Sequence, residues 1–180
     1  MFYSYKQCLE LYKHDYSLDK EVDEKRLYKV EKGIYSDTAV WTDLALTVFK
    51  YPEAVFTMES ALYYQGLTDV KSEKYCLATN RNAYKIKNPA VKQFFYPEET
   101  LLLGALEKEV NGSKIKIYSK ERLLIELIRH KKLVSFDYYK SVISNYRSRL
   151  FELDRTWFKD NVQKFPASKK IMDAILLEVY

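Results

Sequence analysis

Lys29-Val-Glu-Lys-Gly-Ile-Tyr-Ser-Asp37 carries two short apolar runs, with Leu27 and Val30 before a turn at Glu31-Lys32-Gly33 and Ile34 and Tyr35 after it. Runs of this length, broken by a glycine, predict a two-stranded hairpin, a small wing. Upstream, Ser4 stands where a helix N-cap belongs, and Tyr5, Cys8, Leu9 and Tyr12 recur at i, i+3, i+4 and i+7. This predicts a helix over 4–12. A second helix is expected over 17–25, capped by Ser17, with Leu18 and Val22 turned inward. Two helices and a hairpin within about 37 residues describe a winged helix-turn-helix one helix short.

Downstream, Thr42 caps a predicted helix over 42–50 that stops before Pro52. Thr57 caps the next, which buries Met58, Ala61 and Leu62 and ends at Gly66, a residue able to take the left-handed conformation. Strands are expected over 74–79 and 83–86, paired around Asn80-Arg-Asn82, and again over 91–96. The runs 106–110 and 114–118 flank Asn111-Gly112, the strongest hairpin-turn signal in the chain. Three helices follow. Ser119 caps one with Leu123, Leu124, Leu127 and Ile128 as its stripe. Ser135 caps one bearing Phe136, Tyr139, Ile143, Tyr146 and Leu150. Ser168 caps the last, with Ile171, Ile175, Leu176 and Val179. The fold class is therefore α+β: a short winged-helix-like module over 1–40, then a mixed domain over 41–180 with a small antiparallel sheet and C-terminal helices.

Composition sets bounds on function. The 180 residues are 47% apolar and 31% charged, which excludes a disordered chain. No apolar run approaches a membrane span, and Met-Phe-Tyr-Ser-Tyr-Lys lacks a signal core, so a cytoplasmic protein is expected. Cys8 and Cys76 have no metal-site spacing, and only His14 and His130 could join them. Seventeen tyrosines read first as core-edge residues, with base stacking or a protein interface as alternatives. The net charge of +5 is uneven: residues 111–180 hold fifteen Lys/Arg against eight Asp/Glu. That excess suits an anionic partner or a solvated face.

Catalytic patterns are absent. The chain has no Glu-x-Lys nuclease pair, no phosphate loop and no Gly-x-Ser-x-Gly elbow. Gly112-Ser113 is followed through Leu123 by Glu121 alone, one acid short of a nucleotidyltransferase pair. His14 reads as exposed, and His130 as a residue suited to a helix C-terminus. No enzyme activity and no cofactor are expected. If residues 1–37 form a winged helix, Lys20, Lys25 and Arg26 would meet DNA, and Lys29 and Lys32 would contact phosphate. Glu21, Asp23 and Glu24 oppose this, and no Arg, Asn or Gln stands in the second helix to read bases. Lys131, Lys132, Lys140, Arg147 and Arg149 form a second basic candidate.

Lys32-Gly-Ile-Tyr-Ser36, Ser60-Ala-Leu-Tyr-Tyr-Gln-Gly-Leu67, the turn at Asn111-Gly112 and Ile117-Tyr-Ser-Lys-Glu-Arg-Leu-Leu-Ile-Glu-Leu127 follow one another in an order that resembles the AbiEi family of antitoxins from bacterial abortive-infection systems. The resemblance implies an N-terminal winged-helix DNA-binding module and a C-terminal antitoxin domain. It implies a type IV antitoxin that represses its own operon and opposes a nucleotidyltransferase-like toxin without a stable complex. Family members generally carry a fuller three-helix head before the wing. Two other readings stay open: a defence-linked regulator with no toxin partner, and a protein-interaction module docking through its tyrosine-rich surface.

Overall fold

The computed structural model describes residues 1–180 and is α+β, with nine α-helices and two sheets. The chain divides into two compact units, Met1–Pro52 and Glu53–Tyr180. The first therefore takes in the helix after Thr42, whereas the sequence placed the boundary at 40/41.

In the first unit, β1 (Phe2–Ser4) leads directly into α1 (Tyr5–Tyr12). Ser4 and Gln7 form a reciprocal capping box, each side chain accepting from the other's backbone N–H. α2 (Asp15–Asp23) starts three residues earlier than a cap at Ser17 predicts. His14 holds the cap position and gives no side-chain hydrogen bond. Then come β2 (Tyr28–Glu31), a two-residue turn through Gly33 at φ +77°, and β3 (Ile34–Ser36). The three strands form an antiparallel sheet in the order β1-β3-β2. β1 was not legible, because its three residues pair with a strand about thirty positions later. Cys8, Leu18, Leu27 and Tyr35 make the small core, with Tyr3, Tyr12 and Val22 packed against it. Tyr5, expected on the buried stripe, is exposed, and its hydroxyl donates to Asp15. α3 (Asp43–Lys50) is capped by Thr42 as predicted.

The second unit is built on a five-stranded mixed sheet in the order β6-β5-β4-β8-β7. These strands are β4 (Val55–Phe56), β5 (Tyr75–Asn80), β6 (Val91–Tyr96), β7 (Ala105–Val110) and β8 (Ser113–Tyr118). β7 and β8 make the expected hairpin, with Asn111 and Gly112 both at positive φ. β5 does not pair with 83–86. It runs parallel to β6, in register from Tyr75 opposite Val91 to Asn80 opposite Tyr96. Residues 81–90 are the crossover.

The helices are α4 (Met58–Tyr64), α5 (Glu98–Leu101), α6 (Lys120–Arg129), α7 (Phe136–Ser148), α8 (Arg155–Asn161) and α9 (Ser168–Glu178). Ser119 and Ser135 cap α6 and α7 as predicted. Thr57 holds the α4 cap position without a side-chain bond. Ala167, at φ +60°, precedes α9, so Ser168 is its first residue rather than its cap. α6 is buried from Arg122 through Leu127, charged residues included. No helix is long and apolar enough to cross a membrane.

Candidate nucleic-acid interface

The winged-helix expectation would make the second helix, α2, the reading element. Its inner side buries Leu18. Its exposed side carries Asp15, Asp19 and Asp23 at i, i+4 and i+8, so three carboxylates share one face. Lys20 is exposed, with Nζ 3.9 Å from Glu24. Arg26 is not free. Its Nε and Nη2 donate to Glu21 at 2.8 and 2.7 Å, and Nη1 pairs with Glu24. The hydrogen bond from Arg26 holds the Glu21 carboxyl below its ordinary pKa. Lys25 at φ +57°, Lys29 on β2 and Lys32 in the turn are exposed and make no ion pair. The structure thus leaves Lys25, Lys29 and Lys32 available and sets the α2 face against phosphate.

In the second candidate, most of the cations are already engaged, and Lys131 and Arg147 meet at Glu178. Lys131 pairs with Glu178 at 3.2 Å and lies 4.2 Å from the Tyr139 ring centroid. Arg147 Nε donates to the Glu178 carbonyl at 2.6 Å, and Arg149 Nη1 donates to the Gly66 carbonyl. These cations fasten the end of α9 and the end of α4. Lys140 lies over the Phe136 ring at 5.1 Å, and Lys132 is exposed.

The densest polar cluster was missed by the sequence reading. Glu126 is fully buried on α6 and accepts from Tyr96 Oη at 2.8 Å, Arg122 Nε at 2.9 Å and Arg129 Nη1 at 2.9 Å. His130 Nε2 lies 3.3 Å away. Burial alone would raise the Glu126 pKa, but the hydrogen bond with His130 and the charges of Arg122 and Arg129 bring it below the ordinary carboxylate value. Burial, and then Glu126, push the Tyr96 hydroxyl far up, so it remains a donor.

Arg122, also fully buried, donates from Nη1 to the carbonyls of Thr100 and Leu103 at 2.8 and 3.0 Å. Its guanidinium lies 4.5 Å from the Tyr118 centroid and 4.4 Å from that of Phe165. Gly104, at φ +74°, passes so close that a Cβ there would lie 2.9 Å from Arg122 Cβ. The available signal was the i, i+4 spacing of Arg122 and Glu126 beside the apolar stripe. In an amphipathic helix that spacing reads as a solvated pair. Arg122 Nη2 is buried without a hydrogen-bond partner; the carboxylate of Glu126 and the remaining donors are taken up inside the cluster, which ties α6 to the 100–104 connection.

A cleft bordered by Glu59, Lys71, Lys74, Lys92, Ser135 and Tyr138 lies elsewhere on this unit. Lys92 pairs with Glu59 at 3.0 Å, and Cys76 Sγ lies 3.3 Å from Glu59. Burial, then Glu59, pushes the Cys76 thiol up to about 11, so it stays protonated near neutrality and is a poor nucleophile. No three His, Cys, Asp or Glu side chains converge as metal ligands would.

No protein-family model matches the chain. A Lon protease from Wolbachia pipientis subsp. Culex pipiens (strain wPip) is 27% identical over 120 residues, 67% of this chain and 14% of the protease. The chain thus spans about a seventh of the length of that curated relative.

Proposed function

We propose that this chain is an antitoxin-type regulator of the AbiEi kind, acting by binding rather than by chemistry. On this reading residues 1–52 include a winged-helix module for operator DNA. The remainder opposes a nucleotidyltransferase-like toxin, without forming a stable complex with it. The observation that supports it most is the chain order β1-α1-α2-β2-β3 closing into a sheet of order β1-β3-β2. This arrangement backs a two-helix turn with a wing. The unpaired Lys25, Lys29 and Lys32 supply phosphate contacts from the wing side.

The test is fluorescence anisotropy with the duplex upstream of the gene against a scrambled duplex, at two salt concentrations. Selective, salt-sensitive binding is expected. Lys29→Ala/Lys32→Ala should flatten the log–log salt slope by about two. Arg26→Ala should change affinity little, because Glu21 and Glu24 already hold its guanidinium. Equal binding to both duplexes would end the repressor reading. Rescue of growth on co-expression with a toxin encoded beside the gene tests the antitoxin part separately.

A specific feature favours a second reading for the N-terminal unit, that of a protein-interaction module. The face of Asp15, Asp19 and Asp23 suits a basic protein surface better than a phosphate backbone. Absence of binding to either duplex would move the unit to that reading.

A further inference from the structure

From Lys74 to Pro97 the chain carries five cations, Lys74, Arg81, Lys85, Lys87 and Lys92, and no acid. The stretch is β5, the crossover and edge strand β6, so topology gathers these charges at one edge of the sheet. Lys92 pairs with Glu59, but Arg81, Lys85 and Lys87 are exposed and make no ion pair. Among them stands Tyr84, 97% exposed, a large ring with no packing role.

The crossover is ordered by its own hydrogen bonds. Gln93 acts as a latch. Its Oε1 accepts from the Ile86 N–H at 2.8 Å, while its Nε2 donates to the Tyr84 carbonyl at 3.2 Å and to Thr79 Oγ1 at 2.8 Å. The Arg81 N–H donates to the Tyr96 carbonyl at 2.7 Å, and the Ala83 N–H to that of Asn80 at 2.9 Å. The far end is closed by Val91 N–H to the Asn88 carbonyl at 3.0 Å and by Tyr75 N–H to that of Ala90 at 2.8 Å.

The latch also fixes which face the crossover covers. On β6, Phe94 and Tyr96 turn towards α6, where they meet His130 and Glu126. Side chains alternate along a strand, so Gln93 and Phe95 turn to the opposite face. There Phe95 is 49% exposed. The crossover held by Gln93 therefore lies on the face that exposes Phe95. One face of an edge strand thus offers two exposed aromatic rings and three unpaired cations on a pre-shaped backbone.

We propose that the Tyr84 crossover and the outer face of β6 bind a single-stranded nucleic-acid segment, with Tyr84 and Phe95 stacking bases and Arg81, Lys85 and Lys87 contacting phosphates. Stacking on aromatic rings with cations along the backbone is how sheet surfaces hold unpaired strands without strong sequence preference. A duplex hides its base faces and leaves the rings unused. Because the crossover is already ordered, little conformational entropy is lost on binding. The site lies wholly within residues 53–180 and is independent of the winged-helix reading.

The test uses the full chain and fluorescein-labelled oligo(U) and oligo(dT) of about ten nucleotides. Anisotropy is read at about 50 and 200 mM salt, with an unlabelled duplex as competitor. Binding to single strands that the duplex competes for poorly is expected, and the RNA and DNA arms tell which sugar is preferred. Tyr84→Ala should weaken binding about tenfold and Tyr84→Phe should retain it, since the ring is what stacks. Arg81→Ala/Lys85→Ala/Lys87→Ala should reduce the salt slope by about two. Lys29→Ala/Lys32→Ala in the N-terminal unit should leave single-strand affinity unchanged, which separates this site from the operator reading. No single-strand binding, equal competition by the duplex, or unchanged affinity in Tyr84→Ala would each overturn the proposal. The last result would leave only a generic anion surface. An unaltered thermal midpoint in the Tyr84 variants would confirm that affinity alone was read.

Discussion

The two compact units combine topology and charge in opposite ways. Residues 1–52 run β1-α1-α2-β2-β3-α3, but eight Lys/Arg stand against nine Asp/Glu, and α2 exposes Asp15, Asp19 and Asp23. Residues 53–180 hold 22 Lys/Arg against 16 Asp/Glu, a net +6, and lack the order of two helices followed by a hairpin. The lesson concerns how charge should be counted. Arg26, Arg122, Arg147 and Arg149 all add to the formal charge, yet each guanidinium is held by a carboxylate or a carbonyl. Arg81, Lys85 and Lys87 are few, but they are unpaired and face solvent. An anionic partner meets the unpaired cations, not the sum.

The contrast can be broken most forcefully at its buried end. Arg122→Ala leaves Glu126 short of a partner and should destabilise residues 53–180 by about 3–5 kcal/mol. Each unit holds one tryptophan, Trp41 and Trp157, so denaturant unfolding followed in Trp41→Phe and Trp157→Phe backgrounds tells which unit responds. If both transitions shifted equally, the separation would fail. Glu126→Gln should act through pH. Its folded pKa is lowered, so below the ordinary carboxylate value of about 4.3 the unfolded chain binds more protons than the folded one. That part of the stability is complete above this value and is lost as pH falls through the folded pKa. The acid slope should therefore be shallower in Glu126→Gln than in the parent.

In the N-terminal unit, Leu18 is 2% exposed within a core of four residues. Leu18→Ala should cost about 2–4 kcal/mol, read by Trp41. Charge reversal, Asp15→Lys/Asp19→Lys/Asp23→Lys, sharpens the comparison instead. If the topology positions α2 against a groove, duplex affinity should rise at least about tenfold and the salt slope should steepen by about three. An unchanged duplex affinity would show that chain order alone does not place α2 on DNA. The smallest effect belongs to Ser4→Ala, which removes one half of the capping box and should cost about 1 kcal/mol.

What the sequence revealed followed the range of the physics involved. The caps at Ser4, Thr42, Ser119 and Ser135 and the turn at Asn111-Gly112 are settled by neighbours within three or four residues, and all were legible. β1, β4 and the β5–β6 pairing depend on partners far along the chain. A parallel pair joined by ten residues that are neither helix nor strand mimics a hairpin, because the same polar cluster, Asn80-Arg-Asn82, begins either connection. α8 was missed because Asp154 caps it well while its seven residues show no apolar stripe. Among candidate site residues, Lys25, Lys29 and Lys32 were readable as exposed cations. Whether Arg26 or Arg147 was free depended on acceptors that only the folded chain supplies. Tyr84 was hidden among seventeen tyrosines, because exposure has no signature in composition.

The guanidinium of Arg122 has a further consequence for how the second unit breathes. It ties down the carbonyls of Thr100 and Leu103, while the Tyr118 hydroxyl holds that of Leu101 and the Ser119 N–H that of Gly104. A connection between two strands is ordinarily where a chain opens locally, is nicked, or accepts an insertion. Here such an opening would strand a buried cation, so it cannot occur by itself. The amides of Leu101, Leu103 and Ala105, which donate to Pro97, Thr100 and Leu102, should exchange more slowly than those of an ordinary surface loop. A stretch that reads as a surface loop would be among the last to admit solvent or a protease.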